Sequence, residues 1–561
     1  MRESVRAVRR RRRRIRRRAG PCLVLVLGAA LAASGVRAQT VERRTVPSGA
    51  TDFPVVEATI AEIHAAMREG RLTARQLVRA YLDRIEAYDK RGPSLNAIIT
   101  INPGALEVAD SLDALHRRRG ELAGPLHGIP VIVKDNYDTH DLPTTAGSRS
   151  LEGSVPPDDA FQVRRLREAG AIVLVKSNMA EFAFTPYETI GSMLPGYTFN
   201  PYALNRVTAG SSGGTAAAVA ASFGTVGLGT DTGNSIRGPS SHLSLVGIRS
   251  TMGLTSRDGI VPLYLDRDIG GPMARTVADA VAVFDVIAGP DPADPVTRAS
   301  RGRLPAEGYA AHLDPDGLGG KRIGVPRTIS NTETADPEVL DRFERALDDL
   351  RRAGAVVVDS VTIPDHEEIR EGSLWCPRFR WDIDAYLESR GPDAPVKSLA
   401  EIIESGDYHR SIEDRLEYFA GVEGSPETNE SCVEAQENTE RLRAAVRRAL
   451  ETHRLDAVVY PTWNNPPRLV GDLRTPHGNN SPILSPPTGF PAITVPMGWV
   501  RDGRLPVGLQ ILGDAWSEPT LIEIAYGYEQ ATGHRRPPES TPPLGERTTA
   551  ASSTGARPDG R

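Results

Sequence analysis

The chain has 561 residues, of which 39% are hydrophobic and 25% charged, as in a globular protein with a large core. Its 67 basic and 72 acidic residues give a net charge of −5; residues 1–38 hold twelve Arg and one Glu, so the rest has 55 basic and 71 acidic residues, a net charge of −16. Such an acidic body argues against a nucleic-acid partner and against binding to an anionic membrane surface.

Residues 1–38 are typical of a secretory signal peptide. A basic segment, Arg9–Arg18, precedes an apolar run of about 12 residues, Cys22–Ala33, and Val36–Ala38 has the small-residue form of a cleavage site. The run is too short to span a hydrocarbon core of ~30 Å. We therefore expect export to the periplasm or the extracellular space, with a mature chain that starts at Gln39 and keeps no membrane span. An uncleaved anchor is the alternative, and the choice between Sec and twin-arginine export stays open.

Strand and helix patterns alternate after this segment. Capping boxes predict helix starts at Thr59 and Thr73. Further helices are predicted over 105–119, 276–288, 337–353 and 433–453. Strands are predicted over 98–101, 129–133, 171–175, 226–229, 355–359, 456–460, 492–496 and 507–512. This alternation predicts an α/β fold, organised as one large domain over residues 39–534.

The remaining regions add two expectations. Residues 535–561 have almost nothing to bury and are predicted to form a disordered tail. Cys376 and Cys432 are the two cysteines that remain after signal removal, and an oxidising compartment permits a disulfide between them. Pairing and two free thiols remain alternatives.

A Gly/Ser-rich stretch, Ala209–Ile248, is the most informative part of the chain. Gly210–Gly214 fits G-x-S-x-G and would make Ser212 a nucleophile, but that motif needs a strand directly before it, and residues 200–208 predict a poor strand. The glycines match neither a dinucleotide fingerprint nor a P-loop. Asp365–Glu368 lacks a second histidine at metal-binding spacing. We therefore expect no cofactor and no metal.

Together with this stretch, four further segments resemble the amidase signature family. They are Gly124–Asp135, which contains Lys134, and Ser177–Phe182, Gly271–Val277 and Leu505–Gly513. The resemblance covers about residues 58–533. It implies a single α/β/α domain around a mixed, twisted sheet, and hydrolysis of amides, sometimes of esters, by a Ser–Ser–Lys triad.

The resemblance also implies roles for individual residues. Ser235 is the expected nucleophile, Ser211 the bridging serine on a cis peptide bond, and Lys134 the base. The expected oxyanion hole consists of the backbone N–H groups of Thr232, Gly233, Asn234 and Ser235. Supporting roles fall to Ser212, which either bonds to the backbone or helps the relay, and to Asp231 and Arg237, which hold the loop. Capture of a substrate carboxylate by Arg237 is the minor alternative.

Asn234 stands where the family loop commonly has a second glycine. Because asparagine tolerates positive φ better than other non-glycine residues, we expect Asn234 to replace glycine in the backbone rather than to select the substrate.

A lysine base has to be neutral, although its ordinary pKa is about 10.4. Neutrality near pH 7 requires roughly 4–5 kcal/mol, which burial in an apolar setting can supply. The flanking residues Val131–Val133 fit such a setting.

The sequence therefore predicts an exported serine hydrolase that cleaves carboxylic amides in a small-molecule substrate. The alternatives are an ester-preferring enzyme of the same family, a protein like the A component of glutamyl-tRNA amidotransferase, and a catalytically silent scaffold. The identity of the substrate and the oligomeric state stay open.

Overall fold

An eleven-stranded mixed sheet forms the centre of the fold. The computed structural model describes residues 51–545. The strands of the sheet lie in the order β1-β3-β2-β6-β8-β7-β12-β13-β11-β9-β10. Their bounds are β1 (Ile98–Ile101), β2 (Pro130–Lys134), β3 (Ile172–Ser177), β6 (Val226–Asp231), β7 (Val246–Arg249), β8 (Ile269–Ala274), β9 (Arg322–Val325), β10 (Val356–Asp359), β11 (Ala457–Pro461), β12 (Ala492–Val500) and β13 (Leu505–Leu512). Two short strands, β4 (Phe199–Asn200) and β5 (Ala203–Val207), form a separate hairpin.

Helices connect these strands and pack against them. Within residues 51–545 they are α1 (Ile60–Arg68), α2 (Ala74–Tyr88), α3 (Ala105–Arg119), α4 (Phe161–Glu168), α5 (Gly213–Ala220), α6 (Arg237–His242), α7 (Val277–Ile287), α8 (Arg327–Ser330), α9 (Pro337–Arg352), α10 (His366–Glu371), α11 (Phe379–Ser389), α12 (Leu399–Ser405), α13 (Glu413–Ala420), α14 (Glu430–His453), α15 (Ser485–Thr488) and α16 (Glu518–Thr532). The predicted capping boxes at Thr59 and Thr73 are both formed.

The middle strands are covered on both faces. Every residue of β2, β3 and β6 is buried, and successive side chains of a strand point to opposite faces. Helices α5, α7, α9 and α16 contact β2, β8 and β12. This is the predicted α/β arrangement around a mixed sheet.

Strand direction places the ends of β2, β3 and β6 together. These three neighbouring strands are parallel: Ile132 pairs with Gly227 on one side and with Val175 on the other. The carboxyl ends of parallel strands meet at one edge of a sheet. Lys134 ends β2, Ser177 ends β3 and Asp231 ends β6, so residues from three predicted motifs converge at that edge.

The structure confirms most predicted elements and corrects others. All eight predicted strands are present, and α3 has the predicted bounds. The helix predicted from 433 starts earlier, at Glu430, because the Asn429 side chain accepts a hydrogen bond from the Cys432 N–H. Strands β7, β8 and β9 were not predicted.

The expectation of a poor strand before the Gly/Ser stretch is wrong. Residues Ala203–Val207 form β5, and the Val207 N–H donates to the Arg468 carbonyl at 3.0 Å. This strand belongs to the separate hairpin, so Ser212 still does not follow a strand of the main sheet.

The predicted disordered tail begins too early. Residues 535–545 are ordered against the body: Arg535, whose side chain is 13% exposed, forms an ion pair with Glu57 at 2.8 Å and donates to the carbonyls of Leu243 and Ser244. The charge partner and backbone acceptors come from distant segments, which composition alone does not reveal. The predicted signal peptide and the rest of the tail lie outside the described residues.

Two other findings concern the cysteines and the helices. Cys376 and Cys432 are joined by a disulfide, which decides between the two alternatives for them. Among residues 51–545, no helix has both the length and the apolar character needed to cross a bilayer.

Candidate active site

Lys134 is a fully buried ionisable group at the convergent strand ends. Its side chain is inaccessible to solvent, and its Nζ donates to Ser211 Oγ and to Thr230 Oγ1, both at 2.7 Å. Within the described part of the chain, no carboxylate lies within ion-pair distance of this amine. Burial lowers the pKa of Lys134 to about 7, while the charges of Asp231 and Asp268 act in the opposite direction. A large fraction of Lys134 is therefore a neutral amine near pH 7.

Ser211 lies between β5 and α5, in the loop that reaches Lys134. The peptide bond between Gly210 and Ser211 is cis, as the resemblance implies. The next residue, Ser212, has a different environment: its Oγ donates to the carbonyl of Thr230 at 3.2 Å and accepts from the N–H of Thr230 at 3.3 Å. This geometry agrees with the backbone-bonding alternative for Ser212.

Ser235 lies in the loop between β6 and α6. It is 4% exposed, whereas Ser211 is fully buried. A Cβ placed on the neighbouring Gly233 would meet no atom within 4 Å, so there is free space beside this loop. Among the described residues, no hydrogen bond joins Ser235 Oγ to Ser211 Oγ.

Four consecutive N–H groups of this loop have no acceptor. Within residues 51–545, the backbone N–H groups of Thr232, Gly233, Asn234 and Ser235 donate no hydrogen bond, whereas those of Ile236 and Arg237 bind the Asp231 carboxylate. Unused N–H groups beside free space can stabilise a developing oxyanion.

Asp231 and Arg237 hold the loop from inside. Arg237 is fully buried and donates to both oxygens of Asp231, to the carbonyls of Gly233 and Ser481, and to Gln510 Oε1. Arg237 and Arg249 lower the pKa of Asp231 to about 2, against the effect of burial. Because these donors of Arg237 are engaged within the protein, the geometry favours the loop-holding interpretation over substrate capture.

Comparisons with known proteins fit this geometry. The family model described as Amidase matches residues 76–522. A probable amidase of Arabidopsis thaliana is 38% identical, over 87% of this chain and 92% of its own length. The chain belongs to the amidase family.

Further matches extend this assignment. The native peptide amidase of Stenotrophomonas maltophilia has a solved structure that superposes with a TM-score of 0.78 at 40% identity, covering 86% of this chain and 99% of that one. The A component of the glutamyl-tRNA(Gln) amidotransferase of Salinispora arenicola is 35% identical, over 85% of this chain and 98% of its own length. This amidase hydrolyses amides, and its sheet with surrounding helices is the amidase signature fold.

Asn234 differs from its expected role. Its φ is not positive, so it does not replace a glycine in a left-handed conformation. Instead, its Nδ2 donates to the carbonyl of Gly210 at 3.0 Å and to that of Pro186 at 3.4 Å. Gly210 and Asn234 are the residues directly before Ser211 and Ser235. The Asn234 side chain therefore ties together the two serine loops of this amidase.

Sequence reasoning missed two residues of the site. Thr230 accepts from Lys134 and also from Asn136 Nδ2 at 3.1 Å. Asp268 accepts from Thr232 Oγ1 at 2.5 Å and from the N–H groups of Leu263 and Tyr264. No local pattern marks them, since Thr230 is 96 positions from Lys134 and Asp268 is 36 from Thr232.

Proposed function

We propose that this amidase is an exported serine hydrolase in which Ser235 is the nucleophile and Lys134 the base. The observation that carries this proposal is the environment of Lys134: a fully buried amine that donates to two hydroxyl groups and has no carboxylate partner among the described residues. A hydroxyl can accept a hydrogen bond from the amine and also donate a proton to it. Lys134 therefore has the partner and the pKa that a general base requires.

The proposed reaction moves one proton through Ser211. As Ser235 Oγ attacks the carbonyl carbon of the substrate, Ser211 takes the Ser235 proton and passes its own to Lys134. The oxyanion accepts hydrogen bonds from the N–H groups of residues 232–235. Collapse of the tetrahedral intermediate breaks the C–N bond, and the proton returns along the same route to the leaving ammonia or amine. Water then hydrolyses the ester on Ser235 and releases the carboxylate.

The substrate class we propose is a peptide with a C-terminal amide. The support is the 40% identity to the Stenotrophomonas maltophilia peptide amidase, which extends over 99% of that chain. The test is ammonia release from a peptide amide and from a short aliphatic amide, beside hydrolysis of the matching peptide ester. A kcat/KM at least about tenfold higher for the peptide amide than for the aliphatic amide supports the proposal; the reverse order contradicts it, and faster turnover of the ester favours the ester-preferring alternative.

An amidotransferase component is the second candidate, because the Salinispora arenicola relative is 35% identical over nearly its whole length. The signal-like segment and the acidic body oppose a tRNA-dependent role. Ammonia release from the peptide amide by the purified chain alone, without tRNA, would favour the hydrolase.

The nucleophile is tested by intact-mass detection of a fluorophosphonate adduct on the mature protein. We expect one adduct, which Ser235→Ala abolishes and Ser212→Ala retains. Labelling that persists in Ser235→Ala and disappears in Ser212→Ala would move the nucleophile to Ser212. Folded protein that takes up no label in any form would favour the scaffold alternative.

Export is supported by two features: the basic and apolar segments of residues 9–33, and the disulfide between Cys376 and Cys432. Expression of the full chain in a bacterium, followed by N-terminal sequencing of the periplasmic fraction, should give a chain that begins at Gln39. Retention of the whole chain in the cytoplasm would contradict export.

A further inference from the structure

A polar cavity of about 420 Å³ lies beside the disulfide and does not include Lys134, Ser211 or Ser235 in its lining. Its walls come from the loop around residues 264–267, from Cys376 and Cys432, and from the first half of α14. Met252, Val296 and Pro487 add an apolar surface. The cavity is therefore lined by both charged and apolar groups.

Four arginines line this cavity, and three of them have a carboxylate partner. The ion pairs are Arg257–Asp294 at 2.5 Å, Arg378–Asp266 at 2.7 Å and Arg443–Glu440 at 2.5 Å. Two of these acids, Asp266 and Glu440, also line the cavity, and each is neutralised there by its arginine partner. The remaining acid of the lining, Glu427, is exposed to solvent.

The fourth arginine, Arg267, has no such partner. It is 7% exposed, and within residues 51–545 no carboxylate lies within 4.0 Å of its guanidinium. Its Nη2 has no hydrogen-bond acceptor in the described part of the chain, but this atom is closed to solvent, so a ligand in the cavity would meet Arg267 at its other guanidinium nitrogens. The guanidinium packs over the rings of Tyr264 at 5.3 Å and Trp375 at 5.6 Å, which fixes its plane.

A largely buried cation without a carboxylate partner is unfavourable unless a ligand or solvent pairs with it. Burial correspondingly lowers the pKa of Arg267, although Tyr264 and Asp266 act in the opposite direction. The planar guanidinium presents its donors as a fork that matches the two oxygens of a carboxylate, or two oxygens of a phosphate. The apolar part of the cavity wall suits the short hydrocarbon stem of an organic acid.

We propose that this cavity binds a small oxyanion, of which an organic carboxylate fits the lining best, through the guanidinium of Arg267. The site does not depend on the chemistry of Ser235. It is connected to the catalytic loop through the chain itself: the residues next to Arg267 include Asp268, which binds Thr232 Oγ1, and the Arg267 carbonyl accepts from Arg249 at 2.9 Å.

The test is calorimetric titration of the Ser235→Ala protein, so that turnover and acylation cannot contribute. Succinate and inorganic phosphate are titrated separately at constant ionic strength, with sodium chloride as the reference salt. We expect succinate to bind at one site per chain. Arg267→Gln should weaken that binding at least about tenfold, which is about 1.4 kcal/mol.

Arg443→Gln is the matched control, because it removes the same charge from the same cavity at a position that already has a partner. It should change the affinity by less than about threefold. Arg267→Lys is the second variant, for use if Arg267→Gln does not fold. Its ammonium group keeps the charge but lacks the planar fork of donors, so it should bind succinate at least about threefold more weakly than the guanidinium.

The outcomes separate the sources of the anion. Binding of succinate alone assigns an organic acid, and binding of both probes assigns oxyanions in general; each supports the proposal. The proposal is overturned if neither probe binds, if Arg267→Gln and Arg443→Gln lose affinity equally, or if Arg267→Lys binds as tightly as the parent. None of these results changes the fluorophosphonate labelling of Ser235. The anion site and the proposed function are therefore tested independently of each other.

Discussion

Lys134 and Lys176 lie on the neighbouring parallel strands β2 and β3, where Val133 pairs with Lys176 and Lys134 pairs with Ser177. Both side chains are fully buried. Lys134 Nζ donates to two hydroxyl groups. Lys176 Nζ instead donates to the carbonyls of Tyr137 and Pro143 and to Thr144 Oγ1, and lies 3.5 Å from Asp135.

The two lysines differ in whether the groups that accept hydrogen bonds from the amine can also donate a proton to it. A carbonyl oxygen only accepts hydrogen bonds, so the shell around Lys176 favours a protonated ammonium, whereas the hydroxyls around Lys134 also tolerate a neutral amine. Burial lowers the pKa of both lysines. Asp135, 3.5 Å from Lys176, opposes this effect at close range, whereas no carboxylate of residues 51–545 lies within 4.0 Å of Lys134, on which Asp231 and Asp268 act from farther away. Burial alone therefore does not make a base; the partners of the amine distinguish the two lysines.

The largest expected effect comes from replacing each lysine by methionine. Lys134→Met removes the proposed base and should lower kcat/KM for an amide by about 10³-fold, with little change in the melting temperature. Lys176→Met leaves the buried carboxylate of Asp135 without its counter-charge and the Pro143 carbonyl without its lysine donor, which should cost about 3–5 kcal/mol of folding stability. Amide turnover and thermal unfolding are measured on both variants. Equal losses of activity and of stability in the two variants would contradict the distinction between the two lysines.

Thr230→Val tests the hydroxyl environment of Lys134. The variant keeps the shape of the side chain but removes the acceptor for Lys134 and for Asn136. Because a buried hydrogen bond to the proposed base is lost, kcat/KM should fall about tenfold. Thr144→Val, which removes one of several partners of Lys176, is the matched control and should leave kcat/KM near that of the parent.

Asn234→Gly tests the role of the hydrogen bond that joins the two serine loops. It removes the hydrogen bond to the Gly210 carbonyl and should lower kcat by about threefold. Relative rates on a set of amides should stay the same, because the side chain acts on loop position. A strong change in substrate preference at unchanged stability would make Asn234 a specificity residue.

Asp268→Asn should give the smallest change in maximal rate. An asparagine can accept from the N–H groups of Leu263 and Tyr264 and donate to Thr232 Oγ1, so all three contacts have a counterpart. The negative charge of Asp268 raises the pKa of Lys134, and its loss should lower that pKa. The acidic limb of kcat/KM should therefore move to lower pH, and a shift to higher pH would contradict the account.

The sequence predicts the parts of the fold that carry an apolar run or a capping box. The eight predicted strands carry such a run, and α1 and α2 carry the capping boxes. Strands β7 and β8 are buried along their whole length, so no alternation marks them; β7 is only four residues long, and β8 contains two glycines and a proline. Region 365–429 contains α10–α13, of which α11, α12 and α13 pack on one another and on Phe182 and Phe184, contacts that no local pattern in the sequence indicates.

For the candidate site, the motifs identify Lys134, Ser211 and Ser235, since these stand in segments with a distinctive local pattern. The partners that tune them are not local. Thr230 appears as an ordinary strand residue, and the positions of Asp268 and of the Asn234 side chain depend on how loops from different strands meet. Such contacts follow from tertiary structure rather than from spacing along the chain.

The most direct test of the account is the pH dependence of the rate constant for fluorophosphonate labelling of the wild-type protein, because it reports on the free enzyme without a product-release step. If neutral Lys134 is the base, the rate should rise with pH and reach half its maximum near pH 7, the pKa to which burial lowers this lysine. A rate that is the same on the acidic and the alkaline side of neutrality, or a midpoint near the ordinary lysine value of about 10.4, would contradict it.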